Sequence, residues 1–146
     1  MTKKIKKVFQ QGPISASFIA DSIAKHQSKT SIGAHSIFMG QVRADEINGK
    51  IVKAIDYTAY EEMAEKEFHV LREETFEKFN LSCMHIHHSL GRVMSGEICL
   101  FVFVSSKHRK PVFGAIEYLV EEIKKRIAIF GKEIFEDESH SWKINN

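Results

Sequence analysis

Between residues 97 and 105 the chain reads EICLFVFVS, an almost wholly apolar run. Such a run predicts a central strand buried on both faces. A different rhythm begins at Glu61. Ala64, Phe68, Leu71, Thr75 and Phe79 recur at steps of three and four, and Glu61 and Glu62 open the stretch where a helix dipole favours anions. The spacing predicts a helix over 61–80. A second stripe, running from Val112 and Phe113 through Ile116, Leu119, Val120 and Ile123 to Ile127, predicts another helix. Pro111 stands near its first turn, where a missing N–H costs nothing, and Gly131 marks its exit. A shorter helix starts at a Ser15 or Ser17 cap, continues through Phe18, Ile19, Ile23 and Ala24, and ends near His26.

Strand-like stretches fill the remainder: 4–10, broken by Gly12-Pro13; 33–43, bending at Gly40; 51–60; and 81–88, which a turn at Ser95-Gly96 joins to 97–105. Short closing strands are expected at 134–135 and 142–144. The Asn48-Gly49 pair is a turn signal, so 33–43 and 51–60 are expected to form a long hairpin. Together these elements predict one α+β domain over residues 1–146, with a mostly antiparallel sheet and two main helices.

Composition adds exclusions. At 146 residues and 43% hydrophobic, the chain is one domain's worth of sequence and able to bury a core. There is no apolar run long enough to span a membrane, and the basic start MTKKIKKVFQQG lacks the apolar stretch of a signal peptide. Cytoplasmic localisation is the expectation. A net charge of +2 is too weak a field to imply nucleic acid or a membrane surface as partner. Cys83 and Cys99, far apart and without a CxxC, read as reduced and buried.

Three places can carry chemistry. At about 100° per residue, Lys124 falls about 80° from the centre of the second helix's apolar stripe, at the edge of buried surface. There desolvation lowers a lysine pKa, although such a lysine often only snorkels over apolar surface. Lys107-His108-Arg109-Lys110 lies between a strand end and a helix start, where unpaired N–H groups attract anions. Cations at a helix N-terminus oppose the dipole, which favours a phosphate or carboxylate ligand there. Arg43, at a strand end, suits bidentate phosphate recognition. His85, His87 and His88 suggest a metal, with Cys83 able to join His85 and His87 on one strand face. No second Cys/His cluster completes a ligand set, so no metal is expected.

The order of MGQVR (39–43), YTAYEEMAEKE (57–67), HHSLGRVMSGE (87–97), SSKHR (105–109) and IKKRIAIFGKEIFEDESHSW (123–142) resembles the large, catalytic subunit of molybdopterin synthase. The resemblance implies an α/β hammerhead fold and a sulfurtransferase of molybdenum-cofactor biosynthesis. It implies conversion of cyclic pyranopterin monophosphate, a phosphorylated pterin, to molybdopterin, with no cofactor. Sulfur would come from the C-terminal thiocarboxylated glycine of a small ubiquitin-like carrier. A homodimer with a carrier at each end makes a heterotetramer; the apolar stretches 97–105 and 33–60 are expected to supply the dimer surface. This chain ends Lys143-Ile144-Asn145-Asn146, without Gly-Gly, so it is not the carrier.

By the same resemblance, Gln41, Val42, Arg43, His108 and Arg109 bind substrate, Lys124 is catalytic, and Gly131, Lys132 and Glu133 belong to the site. Gly131 stands where a second functional lysine is usual. The expectation is that Gly131 adopts positive φ after the helix and re-aims Lys132 into a pocket shared with Lys124, His108 and Arg109. Lys132 would then be the second catalytic lysine. The alternative function is a non-catalytic carrier-binding scaffold of the same fold.

Overall fold

The computed structural model describes residues 6–144. A short strand β1 (Phe9–Gln11) is followed by α1 (Ala16–Gln27). The strand expected over 4–10 is thus later and shorter, and its first positions lie outside the described residues. Ser15 caps α1, its Oγ accepting the Phe18 N–H at 3.1 Å. Then come β2 (Ala34–Gln41), β3 (Glu46–Ile47), β4 (Lys50–Ala59) and α2 (Glu61–Lys78). The order closes with β5 (Cys83–Met94), β6 (Ile98–Ser106), α3 (Arg109–Arg126), β7 (Ile129–Phe135) and β8 (His140–Trp142).

All eight strands join one sheet in the order β2-β6-β5-β4-β7-β8, with β1 on β5 and β3 on β4. Every pairing is antiparallel except that of β1 with β5. The predicted long hairpin does not form. Asn48-Gly49 closes only the short β3–β4 ribbon, while β2 pairs with β6 and breaks register at Gly40/Gln41, where the bend was expected. Strand β5 runs six residues past the expected end at His88 because Gly91, at φ +80°, bends it without ending it. Before the bend β5 pairs with β6; from Gly91 onward it pairs with β4.

Strand β6 is central, and both its faces are covered. Leu100, Val102 and Val104 pack toward α2 and α3 with Phe68, Leu71, Leu119 and Ile123. Phe101 and Phe103 face the other way, against Ile14 and Ile19 under α1. This double burial explains why the sequence there does not alternate. It also removes β6 as dimer surface. Exposed apolar side chains lie elsewhere, at Met39, Tyr60, Met63, Val70 and Trp142. Helix α3 ends at Arg126, with Ile127 as its cap, so Gly131 is not its exit but a residue inside β7.

Candidate active site

The last turn of α3 brings Lys124 to the seam where β2, β4, β5, β6 and β7 meet. Behind it are Tyr57, His88 and Cys99, with Gly40 and Gly131 forming the floor. In front, a cleft of about 450 Å³ opens between Gln41, Arg43, Asp45, Glu133 and Lys143, with Lys124 again on its wall. A larger, more open groove lies along α2 between Tyr60, Met63, Lys66 and Val70 and reaches none of these groups.

Electrostatics distinguish Lys124 from an ordinary surface lysine. Its side chain keeps surface open to the cleft, yet its ammonium is held below the usual lysine range, first by desolvation and then by repulsion from Lys143; Cys99 and Glu121 oppose the shift. His88 is buried and neutral. Its Nδ1–H donates to the Ser89 carbonyl at 2.7 Å, and desolvation, aided by the charge of Lys124, takes its pKa to about 4. Burial pushes the Tyr57 phenol up, and its hydroxyl donates to Cys99 Sγ at 3.4 Å. Tyr57 and His88 behind Lys124 are therefore uncharged near neutral pH, and the cations stand at the front.

Several residues named from sequence meet here: Gln41, Arg43, Lys124, Gly131 and Glu133 all line the cleft or its floor. Arg43 is exposed, with an Asp45 contact at 3.3 Å as its ion pair. Glu133 is buried in β7. Val42 does not reach the cleft. It is 2% exposed in the core, and its backbone N–H donates to the Glu97 carbonyl. His108 and Arg109 also stand apart. They cap and open α3 on exposed surface, and fifteen residues of helix put Arg109 about 22 Å from Lys124.

The chain matches the family model described as MoaE protein over residues 9–126. It is 38% identical over 115 residues to the molybdopterin synthase catalytic subunit of Pyrococcus abyssi, covering 79% of this chain and 76% of the relative. The chain belongs to the MoaE protein family. That membership assigns it to molybdenum-cofactor biosynthesis, as an enzyme's catalytic subunit. Several fungal and mammalian relatives are longer, and the chain spans 56–64% of their length. The crystal structure of molybdopterin synthase from Staphylococcus aureus superposes with a TM-score of 0.78 at 30% identity, covering 99% of each chain. The hammerhead-type α+β fold expected from the MoaE resemblance is the one observed. A complex of subunits 1 and 2 of molybdopterin-converting factor from Helicobacter pylori has the same fold, with a TM-score of 0.79 at 18% identity, covering 92% of this chain and 88% of that one.

Against the MoaE pattern, Gly131 has an unexpected consequence. Its backbone is extended strand, not positive φ, and it pairs with Tyr57 of β4. Alternation along β7 therefore sends Lys132 to the opposite face from Gly131 and Glu133. The Lys132 ammonium lies 6.0 Å from the Trp142 ring centre and near Asp56, whose pKa Arg92 chiefly lowers with Lys132 adding to it, away from the cleft. The cation that does enter is Lys143. Its N–H donates to the Gly131 carbonyl at 2.8 Å, and its Cβ would sit 3.7 Å from a Cβ at position 131. Sequence reasoning missed Lys143 because only the β7–β8 register sets it opposite Gly131. Tyr57, His88 and Cys99 were missed as pocket wall for a similar reason: each reads as a plain strand residue until three strands converge.

Proposed function

We propose that this chain is a sulfurtransferase that converts cyclic pyranopterin monophosphate to molybdopterin. Each sulfur comes from the C-terminal thiocarboxylate of a small ubiquitin-like carrier, and each transfer leaves that carrier with a carboxylate. The observation that carries the reading is the cleft, in which Lys124, Gln41, Arg43 and Glu133 converge although they are far apart in sequence. A lysine with a depressed pKa gives up and regains a proton more readily near neutral pH. In its charged form Lys124 stabilises negative charge developing at the thiocarboxylate carbonyl. Arg43 is placed to grip the phosphate once its exposed pairing with Asp45 gives way. Lys143, rather than Lys132, is the second cation of the site in this reading.

His108 and Arg109 fit the reading only if a second chain brings them. In a two-fold dimer the N-terminal end of α3 from one subunit faces the cleft of the other. The two-subunit complex named for the Helicobacter pylori relative supports a small-subunit partner; in this reading a carrier sits at each end of the dimer, and the heterotetramer works in the cytoplasm. The exposed Met39, Tyr60, Met63, Val70 and Trp142 offer apolar surface for these contacts. The deciding assay mixes the purified chain with thiocarboxylated carrier and the precursor and looks for the dithiolene product. Product should form, and Lys124→Ala should abolish it while carrier affinity stays intact. Turnover unchanged by Lys124→Ala would instead favour the scaffold reading.

A further inference from the structure

The sheet face under α1 holds a cluster that sulfur transfer does not use. Cys83 and His85 project there together from β5, because alternate strand residues share a face. His26 meets them from the last turn of α1, so the third donor comes from 59 residues away. One donor atom from each of the three lies within 4.8 Å of the others, and the two Nε2 atoms are 2.8 Å apart. A zinc ion with bonds of about 2.0–2.3 Å to nitrogen and sulfur needs tetrahedral edges of roughly 3.3–3.7 Å, which small side-chain rotations supply here.

Two further observations bear on what this cluster binds. His26 Nδ1–H donates to the Ser22 carbonyl at 2.7 Å, which leaves the Nε2 lone pair aimed at the cluster. That outer contact is the arrangement that orients metal-ligating histidines. Finally, Lys29 Nζ lies 3.1 Å from Cys83 Sγ, so a cation already occupies the approach to the sulfur. Phe103 closes one side, its ring centre 4.7 Å from that of His26, while Cys83 and His85 stay half-exposed and reachable.

We propose that His26, Cys83 and His85 bind one zinc-class metal ion, with water in the fourth position and Lys29 displaced from the sulfur. Imidazole and thiolate are the ligands such a borderline ion prefers. The charges of Lys6 and Arg72 reach His85 and oppose cation binding without blocking it. The site lies on the opposite side of the sheet from the Lys124 cleft and stands independently of the sulfurtransferase reading.

The test uses the full chain, stripped with a chelator and titrated with zinc by calorimetry and with cobalt(II) by absorption. One ion per chain at sub-micromolar affinity is expected, with a cobalt–thiolate charge-transfer band in the near ultraviolet. Cys83→Ser should abolish that band, and His26→Gln and His85→Gln should each weaken zinc at least ~10-fold, the scale on which metal sites respond to altered ligation. Lys29→Ala should tighten binding, since it removes a competing charge. Binding of less than one ion per chain, or affinity unchanged by Cys83→Ser, overturns the proposal. If a variant fails to fold, the wild-type cobalt spectrum decides alone: absence of the thiolate band also overturns it.

Discussion

The two ends of α3 carry the two halves of the proposed chemistry, and they are built differently. At the C-terminal end Lys124 stands against Tyr57, His88 and Cys99, all buried, and its charge is partly desolvated. At the N-terminal end His108 and Arg109 are exposed, and no side chain caps the helix. One end is a finished pocket wall with a tuned amine. The other is a helix start that carries exposed cations. Nothing within the chain spans the about 22 Å between them. In the proposed reading, fold symmetry rather than proximity along a chain brings the two ends to one substrate.

The largest effect should come from the finished end. Lys124→Ala is expected to lower turnover ~10²–10⁴-fold, the range for a positioned proton-transfer or charge-stabilising group. Single-turnover product formation with saturating carrier measures it. For the open end, Arg109→Ala should cost ~10²-fold in the same assay. Mixing it with Lys124→Ala after subunit exchange should restore about a quarter of wild-type turnover, because half the dimers then carry one intact cleft of two. No recovery on mixing would mean that both ends serve one chain, and the contrast would collapse.

His88 gives a stability test of the buried wall. Its pKa falls from 6.5 in the unfolded chain to about 4 in the fold, so the neutral ring is the native form. That contribution is present above pH 6.5 and is lost as the pH falls toward 4; the span corresponds to about 3 kcal/mol. The difference in denaturant midpoint between wild type and His88→Leu should therefore change between pH 7 and pH 4 and be flat above pH 7. Smaller again, Lys143→Ala should cost ~10-fold in turnover and raise the pKa of Lys124, seen as a basic shift of the rate profile. Smallest is Lys132→Ala. Since its ammonium lies over Trp142, less than about a twofold change is expected; a large loss would restore Lys132 to the site.

Much of this could be read from the chain itself. The helix beginning at Glu61 and the doubly buried strand that became β6 follow from local periodicity, and both formed with nearly the expected bounds. Gln41, Arg43, Lys124 and Glu133 were placed by resemblance, and the fold brings them together. What failed was non-local. The Asn48-Gly49 turn is a local signal, but it says nothing about which strand competes for β2, and β6 won that pairing. Gly131 looked like a helix exit because glycine favours that role; the helix had already ended, and strand alternation reversed the expected direction of Lys132. Lys143 and His26 act through partners across the sheet and between elements, a distance that no spacing rule covers.

The bend in β5 at Gly91 joins the two half-sheets that meet at the cleft. Gly40 and Cys99 belong to the strands paired before the bend, Tyr57 and Gly131 to the strands paired after it or beside them, and His88 to β5 itself. One unbroken strand thus acts as a gauge between two half-sheets. Any side chain at Gly91 would have to adopt φ +80° and meet Gln11 Oε1 at 3.1 Å, so the gauge tolerates little change in its one flexible link. Continuity of backbone through Gly91 thus joins the strands that carry the cleft residues.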